Sequence, residues 1–276
     1  MSILVIGYSV EYLKDNDLAE RFLKKVHEVH SKSEAPCTLY LVADIVEQHA
    51  QELEPLVGNP LFDLQICTRL PMKTVCQMAD GQTTLWRGAD VAQTIDDVSA
   101  VRESLKTLFG VNAIGVSSPL GYYRGFMDRP DILEALHREG IRFTRSYGRN
   151  RYDWQPVDFS IDPFWYTFQG FADMLEFPGQ GWQDSLIRPI YGWEDVEGYT
   201  DYLKGDVDET ARREDYVWSY WAHDWAVLRE DDDLATISAL VSYAREQGVD
   251  VSTQQNAYSV LREREHDLAR KNGDPS

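Results

Sequence analysis

Apolar residues along this chain come in short compact runs, and stretches of helical spacing separate them. Ile3–Tyr8 reads as a buried parallel strand, and Cys37–Val42, Phe62–Ile66, Val111–Val116 and Ile141–Arg145 as the strands that follow it. Between them, Leu18, Phe22, Leu23, Val26 and Val29 form one helical stripe, with Asp15–Asn16–Asp17 as its cap. Ile45, Val46 and Leu53 mark a second helix behind Asp44. Val98, Val101, Leu105 and Leu108 mark a third, stopped by Gly110. Pro130 and Gly140 bracket a fourth, with Ile132, Leu133 and Leu136 inward. The stretch from Pro71 to Arg87 reads as a hairpin or an active-site loop, and Gly148 to Phe171 as a long aromatic insertion. Met174–Phe177 is then strand-like and Asp195–Arg213 a polar helix. Val217–Ala222 is a late strand, Asp231–Gly248 a helix and Val249–Ser252 a closing strand, with a last helix over 255–270. The chain shows no repeat, no Ser/Gly linker and no low-complexity block.

Strand and helix alternating over this length predict one β/α domain of barrel type. In such folds function collects where the strands end. The predicted exits are Ser9–Val10–Glu11, Cys67–Thr68–Arg69, Ser117–Tyr122, Ser146–Tyr147, Pro178–Asp184 and His223–Asp224–Trp225.

Charge narrows the partners. Lys and Arg total 27 against 46 Asp and Glu, a formal charge of −19 over 276 residues. General nucleic-acid binding needs a basic footprint, and a polybasic membrane surface needs the same, so both are excluded as expectations. No run approaches the roughly 20 apolar residues of a membrane span. The thiols Cys37, Cys67 and Cys76 make no CxxC pair and are odd in number, which points to a reducing, cytoplasmic setting. The first apolar run has no basic leader and reads as a strand, not a signal peptide. Walker, GxGxxG and GxSxG motifs are absent, against nucleotide hydrolysis, dinucleotide binding and α/β-hydrolase chemistry.

Several segments, in order, carry a family resemblance. Pro36-Cys-Thr-Leu-Tyr-Leu-Val-Ala-Asp44 is similar to the second strand of the polysaccharide deacetylases, the NodB-homology family. Ser117-Ser-Pro-Leu-Gly-Tyr122 is similar to the family's RxPxG exit. Leu133–Ser146 resembles its LxxLGxxxxxS segment, and Tyr220-Trp-Ala-His223 its late strand ending in His. The resemblance implies an α/β fold, a single distorted (β/α) barrel over residues 1–255. The insertion at about 148–171 lies within it, and a C-terminal helix and polar tail follow over 256–276. It also implies metal-assisted removal of an acetyl group from a sugar amide. That chemistry uses an Asp base beside a metal-binding Asp, an HxxxH pair of metal ligands, an Arg that orients the base, and a late His as general acid.

Carried over, the Asp pair falls on Ser9 and Val10, the HxxxH pair on Cys67 and Pro71, and the orienting Arg on Ser117; only the late His is kept, as His223. Valine and proline offer no side-chain ligand, so no metal and no cofactor is expected. Glu11, Cys67 and His223 meeting at a metal in a different way is a remoter alternative. The catalytic candidates are His223 and Glu11. The ligand-binding candidates at the exits are Ser9, Cys67, Arg69, Ser117, Tyr122, Tyr147, Trp182, Asp184, Trp221 and Trp225. For His223 the structural alternative is a hydrogen-bonded buried residue, and for Asp184 a turn Asp after Gly.

Aromatics make up 12% of the chain, including 8 Trp and 15 Tyr, and they cluster at the exits and in the insertion, Trp154 among them. Aromatic anchors beside amides and acids suit a carbohydrate or small sugar-like ligand; packing of the insertion is the structural alternative. Arg124, Arg145, Arg149 and Arg151 add local positive charge, suited to a uronate, a phosphate or a nucleotide-sugar tail, with surface ion pairs as the alternative. His27 and His30, beside Lys24 and Lys25, read as a solvated face. Two functions follow as expectations: a glycan-binding homologue without the family's turnover, or a metal-independent hydrolase of an amide C–N bond using His223 with Glu11. A carboxylate-pair glycosidase is a distant third. The sequence carries no signal for the oligomeric state.

Overall fold

The computed structural model describes residues 2–11, 16–79 and 82–272. The elements in order are β1 (Ile3–Val10), α1 (Asn16–Ser33), β2 (Cys37–Leu41), α2 (Ala43–Gln48), α3 (Ala50–Leu53), β3 (Phe62–Cys67), β4 (Val75–Ala79) and β5 (Gln82–Trp86). Then come α4 (Val91–Phe109), β6 (Gly115–Ser117), α5 (Pro130–Arg138), β7 (Phe143–Arg145), β8 (Phe164–Tyr166) and β9 (Phe171–Glu176). The chain ends with α6 (Asp184–Tyr191), α7 (Val196–Ala211), β10 (Val217–His223), α8 (Asp224–Leu228), α9 (Ala235–Glu246), β11 (Asp250–Ser252) and α10 (Gln254–Asn272). The expected cap at Asp15 and the final tail, 273–276, lie outside the described residues.

Parallel ladders run β10-β1-β2-β3-β6-β7-β9, and β8 adds antiparallel at the far edge. This is a distorted (β/α) barrel with all its parallel strands ending at one mouth. β1 is the hub, buried along its whole length. It pairs with β10 on one side, and on the other with β11 at its start and β2 at its end. Among the described residues no ladder joins β9 to β10. There the Gln180 side chain accepts from Ser219 N–H at 3.0 Å and donates to the Val217 carbonyl at 3.2 Å, the two bonds a neighbouring strand would make. β4 and β5 form the hairpin expected in the stretch from Pro71. No described helix is long and apolar enough to cross a membrane.

Local chemistry sets several boundaries. Asp90 and Gln93 form a reciprocal capping box at the start of α4, and Gly110, at φ 68°, ends it in the left-handed conformation. The strand expected from Val111 begins only at Gly115. The Gln65 side chain takes the amides of Ile114 and Gly115 at 3.0 and 2.6 Å, and Val111 still closes α4 through the Leu105 carbonyl. The helix expected through Ile45, Val46 and Leu53 breaks at His49, between α2 and α3. Neither α6 nor α8 is visible as an apolar period. α6 carries Pro189 inside it, and α8 has only five residues.

Candidate functional site

The parallel strands deliver Ser9, Cys67, Ser117, Arg145 and His223 to one end of the barrel, where backbone register places Ser9 beside His223 and Ser117 beside both Cys67 and Arg145. Arg145 dominates the floor. Its side chain is fully buried and reaches across to β1. It donates to the Gly7 carbonyl at 2.7 Å, the Ser9 hydroxyl at 2.6 Å and the Ser117 hydroxyl at 3.1 Å. Its guanidinium carbon lies 4.2 Å from the Tyr40 ring centre and 4.9 Å from that of Trp221. Gly7 makes room for it, because a Cβ there would stand 2.7 Å from Nη1. Burial pulls the Arg145 pKa down, but an arginine stays charged well above neutrality. The rings and three hydrogen bonds compensate the lost hydration in part. This corrects the expectation for Arg145, an anionic ligand or a surface ion pair; its described hydrogen bonds go to a carbonyl and two hydroxyls inside the barrel.

A cavity of about 340 Å³ opens at this end of the barrel. Of the candidate residues, Glu11, His223 and Trp225 stand on its wall, joined by Trp154 and Arg149. Gln77, Gln155, Gln183 and Ser185 supply further polar groups. No periodicity or spacing marks these four, since they come from loops, a hairpin and a helix start. The Gln183 amide donates to the Gln155 side chain at 2.8 Å, which itself donates to the Gly148 carbonyl at 3.0 Å, so this part of the wall is held in place.

The other candidates lie around the cavity, not on its wall. Ser9 and Ser117 are buried under Arg145. Cys67 is buried and its thiol faces the Glu11 carboxylate at 3.7 Å; burial first, and then that carboxylate, raise its pKa well above the ordinary thiol value. Trp221 is packed so closely that a Cβ on Gly148 would lie 2.6 Å from its ring. Tyr122 is buried, and its hydroxyl takes the Met72 amide at 2.5 Å. Tyr147 packs edge-on against Tyr123, and Trp182 packs on the core. Arg69 is half exposed and paired with Asp44 at 2.5 Å.

Asp184 is fully buried at the start of α6 and holds His223 twice. The imidazole Nδ1–H donates to Oδ1 at 2.5 Å, and the His223 backbone N–H donates to Oδ2 at 2.7 Å. Among the described residues Nε2 makes no hydrogen bond, and His223 lines the cavity. Burial alone would favour the neutral ring, but the charge and hydrogen bond of Asp184 outweigh it, and the His223 pKa is pushed up to about 9. At neutral pH His223 is therefore an imidazolium and a proton donor.

No family model and no curated protein matches the sequence. Solved structures do. A Mycobacterium smegmatis protein described as a polysaccharide deacetylase superposes with a TM-score of 0.65 at 9% identity, covering 96% of this chain and 91% of its own. The fold is that of the polysaccharide deacetylases. PuuE allantoinase matches at TM-score 0.64 and 14% identity, over 94% of this chain and 89% of its own. A CE4 family pseudoenzyme from Bacillus anthracis matches at TM-score 0.54 and 8% identity, over 93% of this chain and 65% of its own. Within this deacetylase fold the positions aligned above with the family's acids, metal ligands and Arg hold Ser9, Val10, Cys67, Pro71 and Ser117. Among the described residues no group of three or more His, Cys, Asp or Glu is arranged to hold a metal ion.

Proposed function

We propose that the barrel mouth binds a carbohydrate or small sugar-like ligand, a glycan or glycan precursor, without metal-dependent deacetylation. The observation that carries this reading is the Arg145 guanidinium bonded to the Ser9 hydroxyl. A divalent cation brought to this floor would meet a fixed positive charge at close range and low dielectric. Ser9 already serves as an acceptor for Arg145, Val10 and Pro71 have no ligand atom, and the Cys67 thiol lies against Glu11. This residue set does not fit the family's metal. The mouth keeps what recognition needs: Trp154 and Trp225 to stack on C–H faces, and amides, Glu11 and charged His223 to meet hydroxyls. The neighbours on this fold include an allantoinase as well as polysaccharide deacetylases, so a small ligand is as natural as a polymer.

The test is thermal unfolding with and without N-acetylglucosamine oligosaccharides, in buffer and in chelator, with acetate release assayed in parallel. The expected result is a sugar-dependent rise in Tm that chelator leaves unchanged and that Trp154→Ala and His223→Ala reduce, with no acetate released. No rise with any of these sugars defeats the proposal. Chelator-resistant release of acetate, abolished by His223→Ala in a folded variant, favours a second reading. In it His223 gives its Nε2 proton to the leaving nitrogen and Glu11 takes a proton from water. One observation supports it: Glu11 and the Asp184-held His223 face the same cavity.

A further inference from the structure

The charged groups on the cavity wall are Arg149, His223 and Glu11; His223 is hydrogen-bonded to the buried Asp184 carboxylate, which leaves Arg149 as the cation without a hydrogen-bonded acid. Arg149 is 5% exposed, and its described hydrogen bonds go to neutral carbonyls. Nε donates to Leu120 at 3.0 Å, and Nη1 to Asp153 at 2.8 Å and to Cys76 at 3.5 Å. The half-exposed Asp153 carboxylate stays 3.6 Å from Nη1, beyond hydrogen-bond length. Among the described residues no hydrogen bond leaves Nη2.

A buried charge without a hydrogen-bonded counter-ion is costly, and the fall in Arg149 pKa, led by burial, reports that cost. Arg145 has no carboxylate partner among the described residues, but it is fully buried, engaged with Gly7, Ser9 and Ser117, and is not among the residues lining the cavity. Arg149 is the one that reaches the cavity. Its rotamer is fixed by three carbonyls, so little side-chain entropy remains to be lost when a ligand binds. A guanidinium in this state matches a carboxylate or phosphate through short, charge-assisted N–H···O bonds.

Resting on the sugar-site reading, we infer that the cavity selects sugar-like ligands bearing an oxyanion, and that Arg149 binds it. The probes are glucuronate, glucose and glucose 6-phosphate, titrated calorimetrically into the wild-type protein at low and high NaCl. Glucuronate is expected to bind about tenfold or more tighter than glucose, the scale of one charge-assisted hydrogen bond, and to weaken as salt rises. Arg149→Met should abolish that preference while glucose affinity persists, with the melt confirming the fold. The wild-type comparison decides the matter even if the variant fails to fold. Glucose 6-phosphate binding as well as glucuronate supports a general oxyanion site, and weaker binding than glucuronate supports a carboxylate site. Glucose binding as tightly as both charged probes overturns the inference and leaves the sugar site standing. No binding by any of the three defeats the sugar-site reading and the inference with it.

Discussion

His30 and His223 are the same residue, one fully and one largely withdrawn from water, yet they titrate in opposite directions. His30 sits where α1 packs on β1. Its Nδ1–H donates to the Ala35 carbonyl at 2.7 Å, so its Nε2 accepts from the Tyr8 hydroxyl at 2.9 Å. With only neutral partners, burial holds its pKa down to about 4, and the ring is neutral. His223, at the mouth, has a buried carboxylate, and its pKa stands at about 9. The difference is one acid. The packed side of the barrel stabilises an uncharged imidazole, and the mouth keeps a charged one facing the cavity.

The largest break comes from removing that acid. Asp184→Asn leaves the His223 ring buried without its counter-ion. The His223 pKa should fall below the ordinary histidine value and stability should drop by about 3–5 kcal/mol. NMR titration and denaturant unfolding check both, and an unmoved pKa would sink the account of the mouth. The pH profile sharpens the contrast next. His223, raised in the folded state, contributes stability that is complete below its unfolded value of about 6.5 and is lost as pH rises through 9. His30, depressed, contributes stability that is complete above about 6.5 and is lost as pH falls through 4. Each limb is on the order of 3 kcal/mol. Asp184→Asn should remove the alkaline limb and deepen the acid one, because the His223 pKa then lies below its unfolded value, whereas His30→Gln should flatten the acid limb alone. A change of the alkaline limb in His30→Gln would show that the two sites are coupled. The smallest effect is expected at Gly7→Ala, where the new methyl presses on Arg145. We expect a loss of about 1–3 kcal/mol with the His30 titration unchanged. A stability equal to wild type would show that the floor can give way.

Much of this barrel is legible in the sequence because strands buried in the sheet leave short runs rich in apolar residues. Ile3–Tyr8, Cys37–Val42 and Phe62–Ile66 match β1, β2 and β3 within a residue or two. The exits are legible for the same reason, and they lead to Glu11, His223 and Trp225 on the cavity wall. Polar residues inside the fold are harder to read, because their meaning depends on distant partners. His30 lies beside lysines in sequence, so it reads as solvated; the helix turns it inward onto Tyr8 and Ala35, and it is fully buried. Arg145 and Asp184 follow the same logic. Arg145 bonds Gly7 and Ser9, more than 130 positions away, and Asp184 bonds His223 across 39. A clue to Arg145 was available, since a central barrel strand has no solvent face on which to place an arginine. The aromatic surplus divides between the two readings of it: Trp154 reaches the cavity, while Trp165 packs on Tyr258 of α10 and Phe159 on Trp218.

An unpaired strand edge is a template for another chain, and β10 would offer one along its side facing β9. Gln180 occupies that edge with one side chain, and its own carbonyl also takes the Trp218 indole N–H at 3.1 Å. A single glutamine thus acts as a plug against edge-to-edge association, with no extra strand required.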